Sequence, residues 1–162
     1  MATLKCVIYN DDGSSIVGDF DENSYVSKHL QLKEVANPSC KESVKYVQHK
    51  GTRIALACWE YVRERYGKPI SISCSYRSPS WNASIPGAAP DSLHLEAEAF
   101  DNQLPGMSDS LFSDFCHWAE IAAEKYGVQV EVIREPYGFH LGFGRLPYTT
   151  KKIYIADARK VK

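Results

Sequence analysis

Two stretches of the chain place apolar residues at helical spacing. Residues 52–66, TRIALACWEYVRERY, set Ile54, Cys58, Tyr61 and Val62 on one face with Ala57 beside them. Gly67 follows as a C′ residue and Pro69 blocks continuation. A second helix is predicted to start at Ser108 and Asp109, both good N-cap residues, and to end at Tyr126 and Gly127. Its stripe is Leu111, Phe112, Phe115, Trp118, Ile121 and Ala122. Alternation at the strand period marks PISISC, with Ile70 and Ile72 on one face, and VQVEVI over 128–133. GFHLGFG (138–144) is expected as a strand after a Glu-Pro-Tyr-Gly turn, and KIYIA (152–156) as an edge or closing strand. The first fifty residues are less regular. They offer one strand ending in the Asn-Asp-Asp-Gly turn and a short helix near residues 27–35. Helices and strands mix without a β-α-β rhythm, so the predicted class is α+β, a mainly antiparallel sheet packed with helices, in one domain over 1–162.

Composition narrows the function more than the fold. A chain of 162 residues with 44% hydrophobic and 24% charged residues can bury a core without disulfides. A net charge of −1 gives no electrostatic case for nucleic acid or an anionic membrane. No apolar run approaches the roughly 20 residues that span a bilayer. The opening MATLKCVIYNDDG is a poor signal peptide, so synthesis in the cytoplasm is expected. Cys6, Cys40, Cys58, Cys74 and Cys116 are odd in number and form no C-x-x-C pair, which argues against a zinc ribbon or a thioredoxin-type site. Cys58 and Cys116 fall within helical patterns as buried thiols, in keeping with a reducing compartment.

Candidate chemistry centres on histidine. His117 reads as a helix-surface or boundary residue, and His29 and His49, among lysines, as solvated. His94 and His140 lie instead in segments dense with glycine, proline and turn residues. Taken as a strand, PDSLHLEAEAFDNQ (90–103) points His94, Glu96 and Glu98 one way and Leu95, Ala97 and Ala99 the other. Asp101, seven residues from His94, then faces away unless the strand bends between them. Spacing alone leaves a polar strand face and half of a metal site both open.

A longer pattern adds to this reading. Ser75-Tyr76-Arg77-Ser78-Pro79, then Asn82, Gly87-Ala88, Ser92, His94, Ala99 and Asp101, with His140 in YGFHLGFG, resembles the signature of the zinc D-Ala-D-Ala carboxypeptidase superfamily. That superfamily includes D,D-dipeptidases, phage L-alanyl-D-glutamate endopeptidases and the hedgehog domain. The resemblance spans about residues 25–145 and implies a hedgehog/D,D-peptidase-like fold. It implies one Zn²⁺ per chain held by His94, Asp101 and His140, with a fourth position open to water. It also implies a carboxylate base shortly before the last histidine, for which Glu135 is the candidate and Glu131 the alternative. Arg77 would bind substrate and steady the oxyanion, Ser92 would line the site or support the His94 loop, and Tyr76 and Trp81 would be pocket walls or core.

The implied activity is hydrolysis of a peptidoglycan stem peptide, at D-Ala-D-Ala or at L-Ala-D-Glu. A phage lysis enzyme released to the wall, or a virion component, is the expected setting, acting as a monomer without nucleic-acid or membrane partners. A binding or structural module of the same fold is the alternative. Three positions depart from the pattern: Ala97 stands where glycine is usual, Glu98 adds a charge beside the site, and Gly142 replaces an Asp that follows the last histidine in some members.

Overall fold

In GFHLGFG, Phe139, Leu141 and Phe143 alternate with positions that carry only glycine or His140. A strand of this kind buries one face in apolar packing and leaves the other bare for neighbours to enter. The computed structural model, which describes residues 2–37 and 42–159, places it at the centre of the main sheet. Cys40 lies outside the described residues.

The elements in chain order are β1 (Thr3–Tyr9), β2 (Ser15–Asp21), α1 (Leu32–Val35), β3 (Tyr46–Gln48), α2 (Lys50–Tyr66), β4 (Ser71–Cys74), α3 (Pro79–Ser84), a 3-10 turn (Leu93–Glu96), β5 (Ala99–Gln103), α4 (Asp109–Tyr126), β6 (Gln129–Glu135), β7 (Gly138–Gly144) and β8 (Ile153–Asp157). The main sheet has the order β4-β5-β7-β6-β8, antiparallel except where β8 runs parallel to β6. A smaller sheet, β2-β1-β3, pairs β1 with β2 antiparallel and with β3 parallel. The α+β class is thus as expected. The edge strand β2, SIVGDFD, was not foreseen because most of its positions are exposed and its apolar residues do not alternate. The short helix expected near 27–35 is confined to α1.

The core face of the main sheet consists of Phe100, Asn102, Val130, Val132, Phe139, Leu141 and Phe143, all essentially inaccessible. Helices α2 and α4 pack on each other and on this face. Phe115 of α4 meets Phe139 with ring centroids 4.4 Å apart. Each such buried ring contributes on the order of 2–3 kcal/mol. A buried polar side chain on this face, Asn102, accepts from Trp59 Nε1 at 2.8 Å.

Both helices bury part of the expected face, Cys58 and Val62 in α2 and Phe115 and Ala122 in α4, with the stripe widened toward smaller residues. In α2 the buried residues are Thr52, Ala55, Leu56, Cys58, Trp59 and Val62, while Ile54 and Tyr61 are only partly covered. In α4 they are Phe115, Cys116, Ala119, Ala122 and Ala123, while Ile121 is exposed. Small alanines let the helices approach each other and the sheet closely, so the buried stripe follows size as well as hydrophobicity. The helix ends match expectation: Gly67 and Gly127 adopt left-handed caps, and the Ser108 hydroxyl accepts from Leu111 N.

Candidate functional site

The opposite face of the main sheet carries the candidate chemistry. Pairing aligns Cys74 of β4, Asp101 of β5, His140 of β7 and Ile133 of β6 in one row across the strands. Glu131 and Glu135 share that face of β6 with Ile133. Cys74 joins the row because β4 is irregular between Ile72 and Cys74. Such a bulge moves a side chain from one face to the other.

His94 arrives from the loop above the sheet, and here the strand expected over 94–99 is corrected. Residues 93–96 form a 3-10 turn, capped by the Ser92 hydroxyl, which accepts from His94 N at 3.2 Å. Ala97 ends the turn at φ 53°, ψ 38°, the one non-glycine residue with positive φ among those described. An L-residue there is strained by about 1 kcal/mol, so glycine is the natural occupant. The turn reverses direction before β5 starts at Ala99, and this brings His94 to Asp101. Leu93 lies over β7, where a Cβ at Gly142 would come within 2.8 Å of it and one at Gly144 within 3.2 Å.

His94 and His140 converge on one oxygen of Asp101. His140 Nδ1 lies 3.1 Å and His94 Nε2 3.3 Å from Asp101 Oδ1, and Arg77 Nη2 lies 3.6 Å from Oδ2. His94 Nδ1 donates to the Ser75 carbonyl at 2.7 Å, a partner that can only accept. Burial, which outweighs the Asp101 contacts, holds the pKa of this imidazole below its usual value. Its Nε2 therefore presents a lone pair to a carboxylate oxygen, buried and without a hydrogen-bond partner among the described residues. Two electron-rich atoms facing each other at 3.3 Å is unfavourable until a cation stands between them, so the donor set fits a divalent metal.

His140 differs. Its Nε2 faces Glu131 Oε1 at 2.7 Å, so both ring nitrogens meet carboxylates. Burial disfavours its charge, but the hydrogen bonds to Asp101 and Glu131 prevail and push its pKa up to about 9. Asp101 is likewise opposed by burial, yet the two histidines hold its carboxyl well below the usual range. Cys74, His94 and Asp101 also form a compact group able to hold an ion, with donor atoms within 4.8 Å of one another. The short contact of Cys74 Sγ to His94, however, is 3.8 Å to Nδ1, the nitrogen engaged by Ser75.

These residues open into a cleft of about 290 Å³, whose walls include Arg77, Ser92, Glu131, Glu135, Tyr137 and Tyr148. Arg77 is anchored through its backbone N–H to the His94 carbonyl at 2.9 Å, and its buried Nε has no partner among the described residues. Burial pushes the Glu135 carboxyl above its ordinary value, against the nearby His140 charge. Tyr137, which sequence reasoning missed, has a hydroxyl pushed up by burial and by the charge of Asp101. Tyr148, also missed, donates to Glu131 Oε2. Both lie in turns or loops with no period to reveal their direction.

Other expected residues fall elsewhere. Tyr76 is buried in the core, edge-on to Tyr46 with centroids 6.3 Å apart, and with Trp81 it borders another pocket, which includes Arg77 but neither Ser92 nor Glu131. His29 and His49 are not simply solvated. His29 Nδ1 pairs with Glu60 at 2.7 Å, and His49 stacks on Tyr9 while its Nε2 lies 3.2 Å from Glu96.

Glu98 does not reach the cleft. Its carboxylate sits where a Cβ at Gly51 would approach to 2.6 Å and one at Gly144 to 3.0 Å, bordering a second groove. Burial, with the Glu96 charge second, raises its pKa from 4.5 to about 7. A carboxyl with a raised folded pKa holds its proton more tightly when folded, so its contribution to stability is lost as pH rises from about 4.5 through about 7. Glu98→Gln is expected to remove that slope in urea unfolding measured across this window. An unchanged slope would assign it to another group.

The described residues contain no helix long and apolar enough to cross a membrane. Among the described cysteines, Cys6, Cys58, Cys74 and Cys116 are free thiols. No curated protein and no solved structure matches the chain. The model of one family does match, over residues 28–133, which takes in Arg77, His94 and Asp101 and stops just short of β7. That segment covers well over half of the sequence, and its description, peptidase M15, agrees with a cleft where two imidazoles and a carboxylate converge beside an arginine. The chain belongs to the peptidase M15 family.

Proposed function

We propose that this protein is a zinc-dependent peptidase acting on peptidoglycan stem peptides, at a terminal D-Ala-D-Ala or an L-Ala-D-Glu bond. The observation that carries the reading is the buried, unpartnered Nε2 of His94 facing the Asp101 oxygen that His140 also meets. His94, Asp101 and His140 would hold the metal. When bound, zinc polarises a scissile carbonyl and lowers the pKa of water to about 7.

The remaining work falls to this chain's own side chains. Glu135 lines the cleft with a carboxyl raised by burial, which suits it to take a proton from the attacking water and deliver it to the leaving amine. Arg77 offers the fixed donors of a guanidinium to the developing oxyanion. Asp101, 3.6 Å from its Nη2, restrains the guanidinium on one side. Ser92 orients His94 by capping the turn that carries it.

The test is mass spectrometry of purified muropeptides incubated with zinc-loaded protein and with a chelated control. Zinc-dependent loss of one D-Ala, or scission between L-Ala and D-Glu, is expected. Intact muropeptides with fully zinc-loaded protein would overturn the reading in favour of a binding module.

A further inference from the structure

We propose that Glu131 is a positioning residue for His140, and that Tyr148 fixes Glu131 in that task. The proposal rests on the zinc reading above and adds to it how the third ligand is aimed.

The strand register shows why the arrangement needs explanation. The direct cross-strand neighbour of His140 on β6 is Ile133, whereas Glu131 pairs with Gly142. The Glu131 side chain must therefore run diagonally along the sheet to reach His140 Nε2, and its path crosses the space above position 142. A Cβ at Gly142 would come within 2.8 Å of Glu131 Oε1 and 2.9 Å of its Cγ. Glycine at 142 is thus what admits the carboxylate.

Once there, both oxygens are engaged. Oε1 meets His140 Nε2 at 2.7 Å and Oε2 accepts from the Tyr148 hydroxyl. The carboxylate is only 12% exposed. A carboxylate so committed is poorly placed to shuttle protons, which separates its role from that of Glu135. Once a cation displaces the Nδ1 proton, a carboxylate accepting from the far nitrogen fixes the neutral tautomer whose lone pair lies at Nδ1, the nitrogen that faces Asp101. It also makes that nitrogen a stronger donor to a cation.

The experiment measures zinc affinity by chelator competition for the wild type, Glu131→Ala, Glu131→Gln and Tyr148→Phe, with urea unfolding of each metal-free protein alongside. Glu131→Ala is expected to weaken zinc binding by about 10–100-fold. Glu131→Gln, whose amide oxygen still accepts, is expected to recover part of that loss, and Tyr148→Phe to lose a few-fold. If Glu131→Ala does not fold, Glu131→Gln and Tyr148→Phe decide. Wild-type affinity in the folded Glu131 variants, with only the unfolding midpoint lowered, would mark a purely structural carboxylate and overturn the proposal while leaving the zinc reading intact. A wild-type protein that binds no zinc would overturn both.

Discussion

Glu135→Gln is expected to retain zinc at one per chain and to lower kcat on muropeptides by about 10²–10⁴-fold. The amide keeps the size and placement of the side chain at the end of β6 but cannot take a proton. Glu135 stands on the cleft-facing side of its strand, opposite Gly138, with its carboxyl raised by burial. A raised pKa brings a carboxylate base closer to the pH at which it works. Glu131, two residues earlier on the same face, has both oxygens occupied. The steady-state comparison should show the loss in kcat with little change in KM. Full turnover by a zinc-loaded Glu135→Gln protein would remove Glu135 from the mechanism.

Asp101→Ala is expected to abolish stoichiometric zinc and with it all metal-dependent cleavage. One carboxylate oxygen lies near both imidazoles, so its removal dismantles the shared donor point. The metal-free protein should suffer as well. Arg77 would lose its carboxylate partner and His140 would keep only Glu131, so a lowered unfolding midpoint is expected. Metal analysis and urea unfolding of the purified variant check the two parts separately. Full zinc content in a folded Asp101→Ala protein would exclude Asp101 as a ligand.

The sequence revealed the periodic elements well and the site by pattern more than by geometry. Both long helices, their glycine caps and the strands β4 and β6–β8 follow from period and turn chemistry. The helix faces were right in part: Cys58, Val62, Phe115 and Ala122 are buried, but a hydrophobicity count favours Ile54 and Ile121 over Ala55 and Ala119, which close packing against the sheet buries instead. The alternation of His94 to Ala99 imitated a strand. What breaks it is a left-handed Ala97; the alanine itself does not announce positive φ, and only its standing where glycine is usual in the resembled family points there. That same reversal meets the requirement that the chain bend between His94 and Asp101.

Cys74 shows a second limit. PISISC alternates Ile70, Ile72 and Cys74 onto one side, and only the irregular pairing with β5 turns Cys74 toward Asp101. The support of His140 was equally out of reach. Gly142 reads as a missing carboxylate in the sequence, whereas in the fold it is the gap through which Glu131 arrives from the neighbouring strand.

The most direct test of the metal centre is X-ray absorption at the zinc edge on protein loaded with one equivalent of zinc. His94, Asp101 and His140 as ligands should give a first shell of nitrogen and oxygen alone at about 2.0–2.2 Å, with imidazole scattering from two rings. A sulfur at about 2.3 Å would contradict this assignment and place the ion instead on Cys74, His94 and Asp101.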